Sequence, residues 1–210
     1  MNYKFPDAKI FVFSKPAIAG KCKTRLIPSL GKERAAKVQS KLLIKIIDDL
    51  FEYQICPFEI WQSEASPYFT ELNSKYNHKL IVETQIGNDL GERMSHALSS
   101  GLKRSKVIII IGSDCIEYSK QYLINAIRSL SSNEVVIGPA FDGGYVLIGG
   151  RSNYPEVFKD IHWGTDKVLK ESLAIMNSKN INYSQLIPLN DIDTADDYDK
   201  AMQICRTILT

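Results

Sequence analysis

The sequence predicts an α/β protein built on a parallel sheet with helices on both faces. Three observations carry this expectation. Short apolar runs of strand length alternate with segments of helical periodicity through the first two thirds of the chain. The run KVIIII at 106–111 is apolar on both faces, as a strand inside a parallel sheet must be. No repeat, low-complexity tract or Pro/Gly/Ser-rich linker divides the 210 residues, so a single domain over 1–210 is expected.

The elements follow in order. Residues 9–14 (KIFVFS) read as a short buried strand. Residues 32–51 read as a helix, because Leu42, Leu43, Ile46, Ile47 and Leu50 recur on one face. Residues 58–62 and 80–84 are strands, with a helical stretch at 68–76 between them. A helix at 90–103 has Asp89 at its N-cap, where a carboxylate satisfies an orphan backbone N–H. The strand at 106–111 is followed by a helix at 122–130 and a strand at 134–137. The remainder is less regular: strand 145–148, helix 166–176, strand 183–188 and a closing helix at 194–209. Thr194 and Asp197 have the spacing of a capping box, with Asp in place of the usual Glu.

Composition narrows the function classes. Apolar residues make up 44% and charged residues 24%, the profile of a folded globular chain and not a disordered one. Lys and Arg number 26 against 24 Asp and Glu, so the net charge of +2 gives no bulk field for nucleic acid. The longest strongly apolar run, 107–111, is far too short to span a bilayer, and residues 1–8 carry no signal-peptide core. A cytoplasmic protein is expected. Cys22, Cys56, Cys115 and Cys205 are widely separated, and His78, His96 and His162 stand at no ligand spacing to them. Neither a zinc site nor a disulfide framework is expected, only reduced thiols packing as small hydrophobes.

Polar residues gather where strands end, and open parallel sheets bind ligands beyond the carboxyl ends of their strands. After the first strand comes KPAIAGKCKTRL (15–26), a loop with Pro16 and Gly20 carrying Lys15, Lys21, Lys23 and Arg25. Such a loop either offers backbone N–H groups and cations to phosphates or is simply a solvated surface. It is not a Walker A loop: Lys15 stands where the first Gly belongs and Cys22 where Ser or Thr would hold Mg²⁺. After the central strand comes Gly112-Ser113-Asp114-Cys115, which places Asp114 at a cleft edge either as an oxygen ligand for Mg²⁺ or Mn²⁺ or as a turn residue. GPAFDGGY (138–145) is a hairpin signal, and Gly143 and Gly144 beside Asp142 and Tyr145 also permit close approach of a ligand to backbone. Arg93, in the first turn of the 90–103 helix, either reaches inward to an anion or pairs with an acid. Asp193 in DIDTADD (191–197) is a candidate second metal carboxylate, and Trp163 either stacks on a ligand or fills the core.

Taken together, GKCKTRL (20–26), DLGERM (89–94), GSDC (112–115), GPAFDGGY (138–145) and DIDTADD (191–197) resemble a small bacterial family of GT-A-like transferases. That family lies in the nucleotide-diphospho-sugar transferase superfamily; some members are arsenosugar-biosynthesis glycosyltransferases. Molybdenum-cofactor and lactyl-phosphate guanylyltransferases look like more distant relatives. The resemblance runs from about residue 8 to residue 200 and implies a Rossmann-like GT-A fold with a mixed, mostly parallel central sheet. It implies that the loop of Lys15, Gly20, Lys23 and Arg25 lies over nucleotide phosphates, with Gly112 and Arg93 nearby. It also implies that Asp114 and Asp193 hold Mg²⁺ or Mn²⁺. Two departures stand out: Ile116 replaces the family's usual Pro after GSDC, and the basic loop lacks the Gly-x-Gly-Thr-Arg form of sugar nucleotidyltransferases.

The expected activity is metal-dependent glycosyl transfer from a nucleotide sugar to a small-molecule acceptor. Asp142 would be the general base, and Gly143, Gly144, Tyr145 and Trp163 would contact sugar or acceptor. The alternative is nucleotidyl transfer from an NTP to a phosphorylated metabolite with release of pyrophosphate. A minor alternative is a non-catalytic nucleotide-binding protein.

Overall fold

The computed structural model describes residues 2–204. Seven strands form one sheet: β1 (Ala8–Ser14), β2 (Phe58–Gln62), β3 (Val82–Thr84), β4 (Val107–Gly112), β5 (Val135–Pro139), β6 (Tyr145–Gly150) and β7 (Tyr183–Gln185), in the order β3-β2-β1-β4-β6-β5-β7. The helices are α1 (Ile27–Leu30), α2 (Lys32–Tyr53), α3 (Pro67–Lys75), α4 (Leu90–Leu102), α5 (Lys120–Ser129), α6 (Val168–Ser178) and α7 (Ala195–Ile204). The expected end of the last helix at 205–209, and Cys205, lie outside the described residues. Among those residues, no helix is long and apolar enough to cross a membrane.

The two-residue period of the strands sorts the core onto two faces. Ile10, Val12, Ile60, Ile109 and Ile111 pack with Leu43, Ile47 and Leu50 of α2, Phe69 of α3 and Leu123 of α5. Phe11, Phe13, Trp61, Ile108 and Ile110 pack on the opposite face with Met94 and Leu98 of α4 and Met176 of α6. The expected α/β sheet, covered on both sides, is therefore present, and it is mixed and mostly parallel.

One pairing departs from a simple parallel progression. β5 does not lie beside β4; β6 sits between them, antiparallel to both. The cause is local: the connection 140–144 is too short for a crossover, so β5 and β6 can pair only as a hairpin. Ala140 N–H donates to the Gly144 carbonyl across that turn. Since β5 still runs in the direction of β1 and β4, the Asp142 turn emerges at the same edge of the sheet as the loops after those strands. The short helix α1 and the 3₁₀ turns Thr24–Leu26 and Pro155–Phe158 were not legible as elements in the sequence.

A third apolar cluster lies at that edge. Leu26, Val38 and Leu42 pack with Ile192, Tyr198 and Ala201. It clamps the end of the basic loop to the acidic segment before α7. Ile116, the departure from the family pattern, packs against this cluster.

Candidate functional site

A cavity of about 620 Å³ opens at the carboxyl-terminal edge of the sheet. Of the residues singled out in the sequence, Lys15, Lys23, Arg25, Arg93, Gly112, Asp114, Asp142, Gly144, Tyr145, Trp163 and Asp193 all line it. Gly20 and Gly143 are not in the lining. Gly20 turns the basic loop with φ of +83°. Gly143, with φ of +90°, lets the hairpin pass α6's approach: a Cβ there would lie 2.3 Å from the Asp166 carbonyl oxygen.

The basic loop delivers two cations with contrasting surroundings. Lys23 adopts a left-handed conformation (φ 46°, ψ 44°), unusual for a residue with a side chain, and enters the Thr24–Leu26 turn. This turns its side chain inward, where it is 2% exposed. Its ammonium lies 2.8 Å from Asp114 Oδ1 and donates to the Ile192 carbonyl at 2.6 Å. Arg25, 65% exposed, instead bonds Asp193 Oδ2 at 2.8 Å from the solvent side. Lys15 is exposed at the cavity wall.

The acidic side is held by backbone as well as side chains. Ile192 N–H donates to the Asp114 carbonyl at 2.9 Å, and Asn190 is bound through its backbone and side-chain N–H groups to Glu117. The capping box read from the sequence is present and reciprocal: Thr194 N–H donates to Asp197 Oδ2 at 2.8 Å and Asp197 N–H to Thr194 Oγ1 at 3.3 Å. It fixes the chain immediately after Asp193. Asp142 is exposed, and its Oδ1 accepts the Gly144 N–H at 2.8 Å.

Asp191 also lines the cavity. Burial, and then the negative charges of Asp142 and Asp114, push its carboxyl up to about 6. Asp191 was not singled out in the sequence. The signal was present in the alternation Asp191-Ile192-Asp193, because an extended segment that buries its middle residue turns both carboxylates to the other side.

The floor is a buried polar network that the sequence did not reveal. Gln39 of α2 donates through Nε2 to Ser14 Oγ at 3.2 Å and Ser113 Oγ at 3.0 Å, tying the ends of β1 and β4 together. On the β3 side, Gln85 Nε2 donates to the Trp61 carbonyl at 2.7 Å. Arg93 is set by an Nε bond to the Gly87 carbonyl at 3.1 Å, and Asp89 caps α4 by accepting the Glu92 N–H. Trp163 meets Tyr145 edge-on, with ring centroids 6.2 Å apart. Its ring lies on α4 at Gly91, where a Cβ would come within 2.7 Å of Trp163 Cζ2. Trp163 thus serves as packing and as cavity wall at once. The Tyr145 hydroxyl is buried among protein atoms, so Tyr145 offers the cavity its ring and not its hydroxyl.

The donor set suits a hard divalent cation. Asp114, Asp142, Asp191 and Asp193 of the lining offer oxygen ligands only. Among the described residues, no group of three or more His, Cys, Asp or Glu side chains is placed to hold a metal ion.

A model of the family described as "uncharacterized protein conserved in bacteria" (DUF2064) matches residues 47–165. No curated protein matches the sequence. The crystal structure of a provisionally named nucleotide-diphospho-sugar transferase from Desulfovibrio desulfuricans G20 superposes with a TM-score of 0.86 at 29% identity, covering 95% of this chain and 88% of that one. The inositol-1-phosphate CTP transferase from T. maritima shares the fold, with a TM-score of 0.60 at 13% identity over 99% of this chain and 98% of that one. So does Rv0371C from Mycobacterium tuberculosis H37Rv in complex with manganese, with a TM-score of 0.54 at 14% identity over 94% of this chain and 98% of that one.

Proposed function

Since the chain belongs to the DUF2064 family, we propose that it is a transferase acting on a nucleotide substrate, and specifically a metal-dependent glycosyltransferase that uses a nucleotide sugar and a small-molecule acceptor in the cytoplasm. One observation carries this reading. Exposed cations (Lys15, Arg25) and a group of carboxylates (Asp114, Asp142, Asp191, Asp193) line the same cavity at the carboxyl-terminal edge of a mostly parallel sheet. Its volume of about 620 Å³ falls in the usual range for sites that enclose a small-molecule ligand. The likeness to the Desulfovibrio protein supports the same substrate class.

The residues divide the work by their chemistry. Lys15 and Arg25 add positive charge over a diphosphate, where charge builds as the leaving group departs. Arg93, at the start of α4, contributes a further cation to the same cavity. Asp114 and Asp193 would hold Mg²⁺ or Mn²⁺, which supplies charge neutralisation at the phosphates when bound. Asp142 has one oxygen fixed by the Gly144 N–H, so the carboxylate is oriented, and it takes the proton from the acceptor hydroxyl. Gly144 and the Tyr145 and Trp163 rings form the wall against which sugar or acceptor rests.

The test is a thermal-shift screen of nucleotides and nucleotide sugars with and without Mg²⁺ or Mn²⁺, followed by product analysis with the stabilising donor. Free nucleoside diphosphate is the expected product. Release of inorganic pyrophosphate from an NTP would replace glycosyl with nucleotidyl transfer, and no stabilisation by any nucleotide would overturn the reading.

A further inference from the structure

The two cations that reach the acidic segment differ in a way that the reaction class alone does not require. Lys23 is 2% exposed and bonded to both Asp114 and the Ile192 carbonyl, so moving its ammonium would strip a buried charge of its partners. Arg25 and Asp193 are 65% and 37% exposed, and an exposed pair of this kind is worth little and exchanges readily. Lys23 Nζ also stands 3.9 Å from Asp193 Oδ1, so Asp193 retains a positive neighbour when Arg25 leaves.

We propose that the loop's cations divide into a fixed one and an exchangeable one: Lys23 is a positioning residue that holds Asp114 and the 190–193 segment in register, whereas Arg25 covers Asp193 until a divalent cation enters, then passes to the phosphates. This rests on the transferase reading and adds a mechanism to it. Arg25 competes with the metal for one carboxylate, yet assists the phosphates that arrive with it. Its removal therefore affects the two ligands in opposite directions, which the loss of a merely structural arginine would not do.

Two titrations test this on the full chain. Mn²⁺ alone is titrated into nucleotide-free protein and followed by the spin-resonance signal of free Mn²⁺. Inorganic pyrophosphate is titrated in the presence of saturating Mg²⁺, so that Arg25 has been released from Asp193, and followed by calorimetry. Arg25→Gln is expected to tighten Mn²⁺ binding about twofold to fivefold and to weaken pyrophosphate binding about tenfold. Lys23→Met is expected to weaken Mn²⁺ binding, and Lys23→Arg to restore part of it. If Lys23→Met does not fold, Lys23→Arg measured against wild type decides that arm: Mn²⁺ affinity nearer wild type than that of Asp114→Asn supports positioning. Affinities for both probes that move together in Arg25→Gln, or an unchanged Mn²⁺ affinity, overturn the exchange. Wild-type protein that binds neither probe overturns the transferase reading itself, a result distinct from either.

Discussion

The Lys23 ammonium is bonded to Asp114 at 2.8 Å although the two residues sit on loops after different strands, β1 and β4. Together with its bond to the Ile192 carbonyl, the lysine joins three separate segments at one point. Asp114→Asn keeps the side chain's shape but removes the charge that pairs with Lys23. It should lower stability by about 1–3 kcal/mol, discounted because the Asp114 side chain is 45% exposed. It should also abolish metal-dependent nucleotide binding. Chemical denaturation and calorimetry measure the two effects separately.

Asp191 gives the site a pH dependence with a definite sign. Its folded pKa of about 6 exceeds the ordinary carboxylate value, so the folded chain holds this proton more tightly than the unfolded chain does. The resulting penalty is absent below about pH 4, grows as the pH rises to about 6 and persists above it. Asp191→Asn should therefore raise Tm by a few degrees at pH 8 and leave it unchanged near pH 4. Equal shifts at both pH values would assign the effect to something other than the carboxylate charge.

Asp142→Asn keeps the turn, because an amide oxygen can still accept the Gly144 N–H. Nucleotide affinity should stay near normal while turnover falls roughly 10²- to 10⁴-fold, the usual contribution of a positioned base. Turnover within a few-fold of wild type would reduce Asp142 to a turn residue.

Gly91→Ala tests the aromatic wall. An added Cβ would sit 2.6 Å from the Phe158 carbonyl oxygen and 2.7 Å from the Trp163 ring, and backbone cannot yield as a flexible side chain can. The expected cost is about 1–3 kcal/mol, with a changed Trp163 fluorescence and weaker donor binding. Normal fluorescence with full stability would show that the Trp163 contact is slack.

Lys15→Ala should weaken binding of nucleoside diphosphates and triphosphates far more than that of the nucleoside, because an exposed cation acts on phosphate charge and not on the base. Equal losses for all three in calorimetry would mean that the loop contributes shape alone.

Much of this protein was determined locally. The apolar run at 106–111, the face of Leu43, Ile47 and Leu50, the Asp89 cap and the Thr194/Asp197 box are all set by neighbours a few residues apart, and each is present. The strand ends likewise marked Lys15, Asp114 and Asp142 as lining one edge, since parallel strands deliver their following loops to the same side. Tertiary structure decided what depends on long-range pairing. The insertion of β6 between β4 and β5, the Gln39 link between Ser14 and Ser113, and the burial of Lys23 against Asp114 join residues far apart in the chain. A lysine in a basic loop carries the same letters whether it points to solvent or into a carboxylate. Only the clamp of Leu26 against Ile192, and the left-handed turn at Lys23 beside it, give that side chain its direction.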